Sequence, residues 1–289
     1  MEKLGLVFGG GGAKGSYEIG VWTALRQMNL ERRISGVSGA SIGALNMALF
    51  AQGDLETAQM LWSQITTQDV VKCKPEAVWD ACLLALAFLS GNQNAVVKAA
   101  SRSKLLREFG WGLSGILTQE KIRDILQEYV SPQRILESQL DLYACCFDIK
   151  NWKPEYFSIQ RSSSLESLSA ILPSLGTLAP PVRSILLASA AIPGAFDSVT
   201  LDGKQYYDGG LADNVPIRPL YQNGYRNLIV VNLNPDKTVD LSPFADANFW
   251  IITPSNRQIM QGGTLRFNPS DNQKRMQAGY EDTLLTIGS

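Results

Sequence analysis

Leu4-Gly5-Leu6-Val7-Phe8-Gly9-Gly10-Gly11-Gly12-Ala13-Lys14-Gly15 is an apolar run that stops in four consecutive glycines. Leu4 to Phe8 reads as a short buried strand. Ser16 to Met28 then reads as a helix, because Ile19, Trp22 and Leu25 recur at helical spacing. The unit repeats at once. Ile34 to Val37 is a second short strand, Ser38 to Ser41 a tight turn, and Ile42 to Ala51 a helix. Two strand–loop–helix units in succession predict an α/β fold with a mostly parallel central sheet.

Downstream, residues 54–135 read as a helical insertion or lid. Within it Ala77 to Leu89 is strongly apolar, and Ile122, Ile125 and Leu126 give one apolar face to a helix over Thr118 to Tyr129. Strands are expected at Leu140 to Asp148 and Glu155 to Ile159. Ser162 to Pro181, rich in Ser, Leu and Pro, reads as a connection or cap. Val182 to Ala191 is expected to be helical. Asp202-Gly203 marks a hairpin turn, and Gln205 to Tyr207 a strand that ends in Asp208-Gly209-Gly210. Leu228 to Leu233 is a continuous apolar strand of the buried parallel type. Phe249 to Thr253 is the last strand, and Lys274 to Leu285 the last helix. No internal repeat is visible, so the 289 residues are expected to form a single domain, 1–289.

Composition narrows the function classes. Apolar residues make up 45% and charged residues 18%, with a net charge of -1. No basic excess points to nucleic acid. The four cysteines, Cys73, Cys82, Cys145 and Cys146, lack both C-x-x-C and zinc spacing, and read as free thiols in a reducing, cytoplasmic compartment. Met1-Glu2-Lys3 leads straight into a strand, so no secretory signal is expected. The longest apolar stretch, Ala81 to Leu89, is far short of the ~20 residues a membrane span needs. The sequence contains no histidine. A Ser-His-Asp triad and a histidine-ligated metal are therefore excluded.

Gly39-Ala40-Ser41-Ile42-Gly43 is a G-x-S-x-G between a strand and a helix, the setting in which that motif has a mechanism. A strained turn exposes the serine oxygen, the flanking glycines let chain segments approach, and the following helix adds its N-terminal dipole. The loop Gly10, Gly11, Gly12, Ala13, Lys14, Gly15 offers backbone N–H groups to an anion. A phosphate loop needs G-K-[ST], but Lys14-Gly15-Ser16 has another order. A dinucleotide loop needs an acid at the end of the second strand, which here ends in Gly36-Val37-Ser38. An oxyanion hole beside Ser41 accounts for both glycine motifs with no cofactor. Without imidazole, a serine nucleophile needs a carboxylate or a lysine as its base. Asp208, before Gly209 and Gly210, is one carboxylate placed at a strand end, although Asp-Gly is also ordinary turn chemistry. Ser101 to Lys104 matches S-x-x-K, but no K-T-G accompanies it.

Taken in order, G-G-G-x-[RK]-G, G-x-S-x-G and D-G-[GA] resemble the set that marks patatin-like phospholipases. Leu187 to Phe196 is similar to that family's A-S-x-A-x-P-x-x-F block, and Asp208 to Pro216 to its D-G-G-x-x-x-N-x-P block. The resemblance covers roughly residues 4–50 and 140–255. It implies a three-layer α/β/α fold, helices on both faces of the sheet, and a helical insertion. It implies a metal-free Ser-Asp dyad with Ser41 as nucleophile and Asp208 as base. Gly39 and Gly43 would frame the nucleophile elbow, Gly209 and Gly210 the base loop, and the amides around Gly11, Gly12 and Ala13 the oxyanion hole. Lys14 stands where the family often has arginine. The implied substrate is a fatty acyl ester of a lipid or phospholipid, reached by peripheral membrane contact. A lysophospholipase, thioesterase or neutral-lipid esterase of the same fold, or a signal-activated effector, fits the same motifs. A lipid-binding scaffold would need none of them.

Overall fold

The computed structural model describes residues 3–72, 115, 117–159 and 181–288. In chain order these form β1 (Leu4–Phe8), α1 (Ser16–Gln27), β2 (Ile34–Ala40), α2 (Ile42–Ala51), α3 (Leu55–Gln64) and α4 (Thr67–Val70). Then follow α5 (Glu120–Tyr129), α6 (Pro132–Glu137), β3 (Asp141–Asp148), β4 (Lys153–Ser158), α7 (Val182–Ser189), β5 (Val199–Leu201) and β6 (Lys204–Asp208). The last are α8 (Arg218–Gln222), β7 (Asn227–Val231), β8 (Asn248–Ile252) and α9 (Pro269–Ile287). The apolar stretch 77–89, Ser101 to Lys104 and the segment 162–180 lie outside the described residues.

β3, β2, β1, β7 and β8 run parallel, and β4, β5 and β6 add antiparallel pairings around β3. The fold is therefore α/β with a mostly parallel sheet, as the repeated strand–loop–helix units imply. Side-chain alternation divides the core. Leu6 and Phe8 of β1 enter a large cluster with α1, α2, α7 and α9, whereas Val7 enters a smaller one with α8 and Phe244. Helices thus cover both faces, but very unequally. Cys145 and Cys146 point to opposite faces, one toward Gly209 O and the other toward Ile185 O.

Two strands meet end to end along one side of β3. β2 runs up it and ends with Ala40 opposite Cys145. β6 runs down it and ends with Asp208 opposite Cys146. β4 occupies the other side from Tyr143 to Asp148. This junction brings residue 41 to residue 208.

β2 departs from the sequence reading. It continues through Ser38 and Gly39 to Ala40, so the turn is confined to Ser41. Ser38, a turn-former in isolation, is buried within the sheet, and its Oγ donates to Pro216 O at 2.6 Å. Helix α9 begins at Pro269 rather than Lys274. Asn268 caps it by accepting from Asp271 N–H, and Pro269 supplies a ready-made first turn.

Candidate active site

Ser41 sits between β2 and α2 with φ 55° and ψ −127°, a conformation that costs a non-glycine residue free energy. The surrounding chain holds it there. A Cβ at Gly39 would lie 2.4 Å from Gly43 O, and one at Gly43 would lie 2.4 Å from Phe8 O. Only glycine allows the elbow to close this tightly. Ser41 stands at the cap position of α2, yet its Oγ caps nothing and donates to Asp208 Oδ2 at 2.6 Å. Its N–H donates to Ser189 Oγ at 3.0 Å, and Ser189 Oγ donates to Cys145 O at 2.6 Å. Ser189, at the end of α7, therefore ties the elbow to β3.

Asp208 is 6% exposed. Its Oδ1 accepts from Gly210 N–H at 2.7 Å, and its own N–H donates to Ala191 O. Burial pushes its carboxyl up to about 6, against the opposing pull of the Ser41 and Gly210 hydrogen bonds. Such a carboxylate is ionised at neutral pH but more basic than an exposed aspartate. Gly209 lies against Cys145 O, where a Cβ would not fit.

The glycine loop is pinned at several points. Gly10 N–H donates to Asn214 O, while Asn214 Nδ2 donates to Gly10 O at 3.1 Å. Ala13 N–H donates to Thr264 O at 2.7 Å, and Lys14 N–H to Gly11 O. Among the described residues, the N–H groups of Gly11 and Gly12 have no hydrogen-bond acceptor. Gly12 has φ +57°, and a Cβ on it would lie 2.1 Å from Thr264 O. Gly12 to Gly15 form a single 3-10 turn that leads into α1. Lys14 is half-buried; burial lowers its ammonium pKa, nearby Arg275 lowers it further, and Asp236 acts against both.

Ser41 and Gly12 share one apolar pocket. Its walls include Leu45, Leu49, Ile122, Leu126, Ile192 and Phe196. Asn46, on the pocket wall, donates to Gly15 O and Glu18 Oε2 and accepts from Trp62 Nε1, so it joins the wall to the glycine loop. Burial holds the Glu18 carboxyl well above the usual carboxylate range, against the opposing pull of its hydrogen bonds from Asn46 and the Gly9 backbone. No three Cys, Asp or Glu side chains among the described residues converge as a metal site would require.

The structure brings Ser41, Asp208 and the loop Gly10 to Gly15 together. Four further residues, Ser189, Asn214, Thr264 and Arg275, hold them and carry no motif of their own. Ser189 and Asn214 lie inside the blocks Leu187 to Phe196 and Asp208 to Pro216, whose sequence shows the residues but not their bonds. Thr264 acts through its carbonyl, and Arg275 through carbonyl acceptors, so neither leaves a sequence pattern.

The chain matches the family model for patatin-like phospholipase over residues 6–221. It is 27% identical over 232 residues to an uncharacterised NTE family protein of Mycobacterium tuberculosis, covering 80% of this chain and 49% of that one. It is 22% identical over 258 residues to lysophospholipase NTE1 of Cryptococcus neoformans var. neoformans, covering 87% of this chain and 12% of that protein. The chain therefore spans about half the length, or less, of these relatives. Among solved structures, VipD from Legionella pneumophila aligns at 15% identity with TM-score 0.48, covering 100% of this chain and 67% of VipD.

Proposed function

The chain belongs to the patatin-like phospholipase family, and from that premise we propose that it hydrolyses fatty acyl esters of lipids with Ser41 as nucleophile and Asp208 as base. The observation that carries this is the 2.6 Å hydrogen bond from Ser41 Oγ to Asp208 Oδ2 at the head of an apolar pocket. Asp208 takes the Ser41 proton as Oγ attacks the ester carbonyl. The N–H groups of Gly11 and Gly12 receive the oxyanion, and removing one such donor typically costs about 10²–10³ in rate. The α2 N-terminus adds to that field. The alcohol leaves with the proton from Asp208, and an acyl-Ser41 ester remains. Asp208 then activates water, which releases the fatty acid.

The apolar walls suit an acyl chain. The fungal relative's name makes lysophospholipids the first substrate to test, with phospholipids, thioesters and neutral esters beside them. Such substrates lie in lipid surfaces, so peripheral contact with one belongs to the proposal. β3 continues past the level of Ala40 into a hairpin whose tip displays Trp152, 58% exposed, between exposed Lys150 and Lys153. An indole flanked by cations suits the interface of a bilayer. No helix among the described residues is long and apolar enough to cross a membrane.

The test is fatty acid release from mixed phospholipid and lysophospholipid vesicles, with and without EDTA. The wild type is expected to release fatty acid in both conditions, and Ser41→Ala and Asp208→Asn to lose several orders of magnitude. Release that survives both substitutions would overturn the assignment.

A further inference from the structure

We infer that Arg275, on the C-terminal helix α9, is a positioning residue for the oxyanion hole proposed above. Ala13 immediately follows the two glycines whose amides have no acceptor among the described residues, and residues of the segment 257–288 hold both of its backbone groups. Thr264 O accepts from Ala13 N–H at 2.7 Å, and Arg275 Nη1 donates to Ala13 O at 3.1 Å. The peptide groups on both sides of Ala13 are thereby fixed. Gly12 is pressed against Thr264 at φ +57°, which leaves its N–H little freedom to turn away.

Arg275 is built for this task. It is 3% exposed, and its acceptors are carbonyls or an amide: Ile259 O, Gln261 O, Ala13 O and Asn272 Oδ1. None of these acceptors is a carboxylate. Among the described residues no carboxylate bonds the guanidinium, with Asp271 acting on it only at longer range, and a buried cation held by neutral acceptors is costly. Here the guanidinium braces the segment Ile259 to Gln261 against the glycine loop and places positive charge behind the amides that would face a developing oxyanion. Its effect reaches the reacting atoms through Ala13, not by contact. Arg275 and Thr264 lie beyond residue 221, outside the region that matches the family, whereas the Ala13 they hold lies inside it.

The experiment uses the full chain and two probes, hydrolysis of the soluble ester p-nitrophenyl butyrate and the rate of Ser41 labelling by a fluorophosphonate. Arg275→Gln is expected to lower kcat and the labelling rate by about 10- to 100-fold, the scale of a misplacement near 1 Å, while KM changes less than about threefold. Arg275→Lys, which keeps the charge and a donor, is expected to recover part of the loss. If Arg275→Gln does not fold, amide exchange in Arg275→Lys carries the test. Faster exchange over residues 9–17 with unchanged exchange over 34–40 supports the proposal, and unchanged exchange in both overturns it. A variant that loses thermal stability but keeps kcat gives Arg275 a packing role only and also overturns it. This inference rests on the acyl-hydrolase reading. A wild type that takes no label overturns both, whereas equal labelling of wild type and Arg275→Gln overturns this one alone.

Discussion

Ser41 and Asp208 are 167 residues apart in the chain, and their side chains meet at 2.6 Å because their strands end opposite consecutive residues of β3. Burial raises the Asp208 carboxyl to about 6, and only the ionised form can accept a proton from Ser41. Hydrolysis of a soluble ester should be flat near pH 7–8 and fall about tenfold per pH unit below about 6. A pH–rate profile that stayed level down to pH 5 would remove Asp208 as the base.

The same shift has a cost for the fold. A carboxyl whose folded pKa lies above its ordinary 3.8 favours the native state while protonated, so its contribution is full below pH 3.8 and lost as the pH rises through about 6. That interval corresponds to roughly 3 kcal/mol at neutral pH. Asp208→Asn should therefore be more stable than wild type at pH 7, on the order of 1–3 kcal/mol, with the gap closing toward pH 4. Denaturant titrations at both pH values check this. A variant less stable at pH 7 would contradict the burial argument.

Ser189→Ala removes the hydroxyl that accepts from Ser41 N–H and donates to Cys145 O. Two buried backbone groups lose their partner, which costs about 1–3 kcal/mol. The elbow also loses its tether to β3, so kcat should fall more than KM rises. Steady-state kinetics with thermal melts separate the two effects, and an unchanged kcat would leave Ser189 with a purely structural role.

Trp152→Ala should weaken cosedimentation with anionic vesicles and slow turnover of vesicle-borne ester by several-fold. Hydrolysis of a soluble ester should stay at the wild-type rate, since Trp152 packs on Phe147 and lines no part of the Ser41 pocket. Equal loss on both substrates would speak against an interfacial role.

Gly20→Ala inverts an ordinary rule. Alanine at an interior helix position usually stabilises by up to about 1 kcal/mol. Here a Cβ would lie 1.8 Å from Met276 O, and Gly279 makes the reciprocal approach to Tyr17 O. The substitution should therefore lower the melting temperature by several degrees. A stabilised Gly20→Ala would mean that α1 and α9 do not cross this closely in solution.

The parts of this molecule that the sequence makes legible are those governed by local rules. Leu4 to Phe8, the glycine loop, α1, α2 and most of the buried strand read at Leu228 to Leu233, which ends at Val231, follow from periodicity and glycine placement. The elbow serine and its flanking glycines follow from strand–turn–helix context. What escaped depends on partners far along the chain. Ser38 and Gly39 look like turn residues until β1 and β3 flank them. Arg275 looks like one more surface arginine on a polar helix until Ala13 O and Ile259 O surround it. Its acceptors are backbone atoms, which every residue possesses, so no pattern of side chains could announce them.

The crossing of α1 and α9 also sets an order of events during synthesis. Tyr17 OH donates to Asp282, 265 residues downstream, at 2.7 Å. At about 5–20 residues per second, a ribosome needs tens of seconds to make the chain between them. Throughout that time α1 has no helix to cover its Gly20 side, and the glycine loop lacks both Thr264 and Arg275. A growing chain would already carry Ser41 and later Asp208, but the loop proposed to receive the oxyanion would still lack its brace. On this reading the proposed hydrolysis stays slowed until α9 has emerged and docked, so the site matures last in the order of folding.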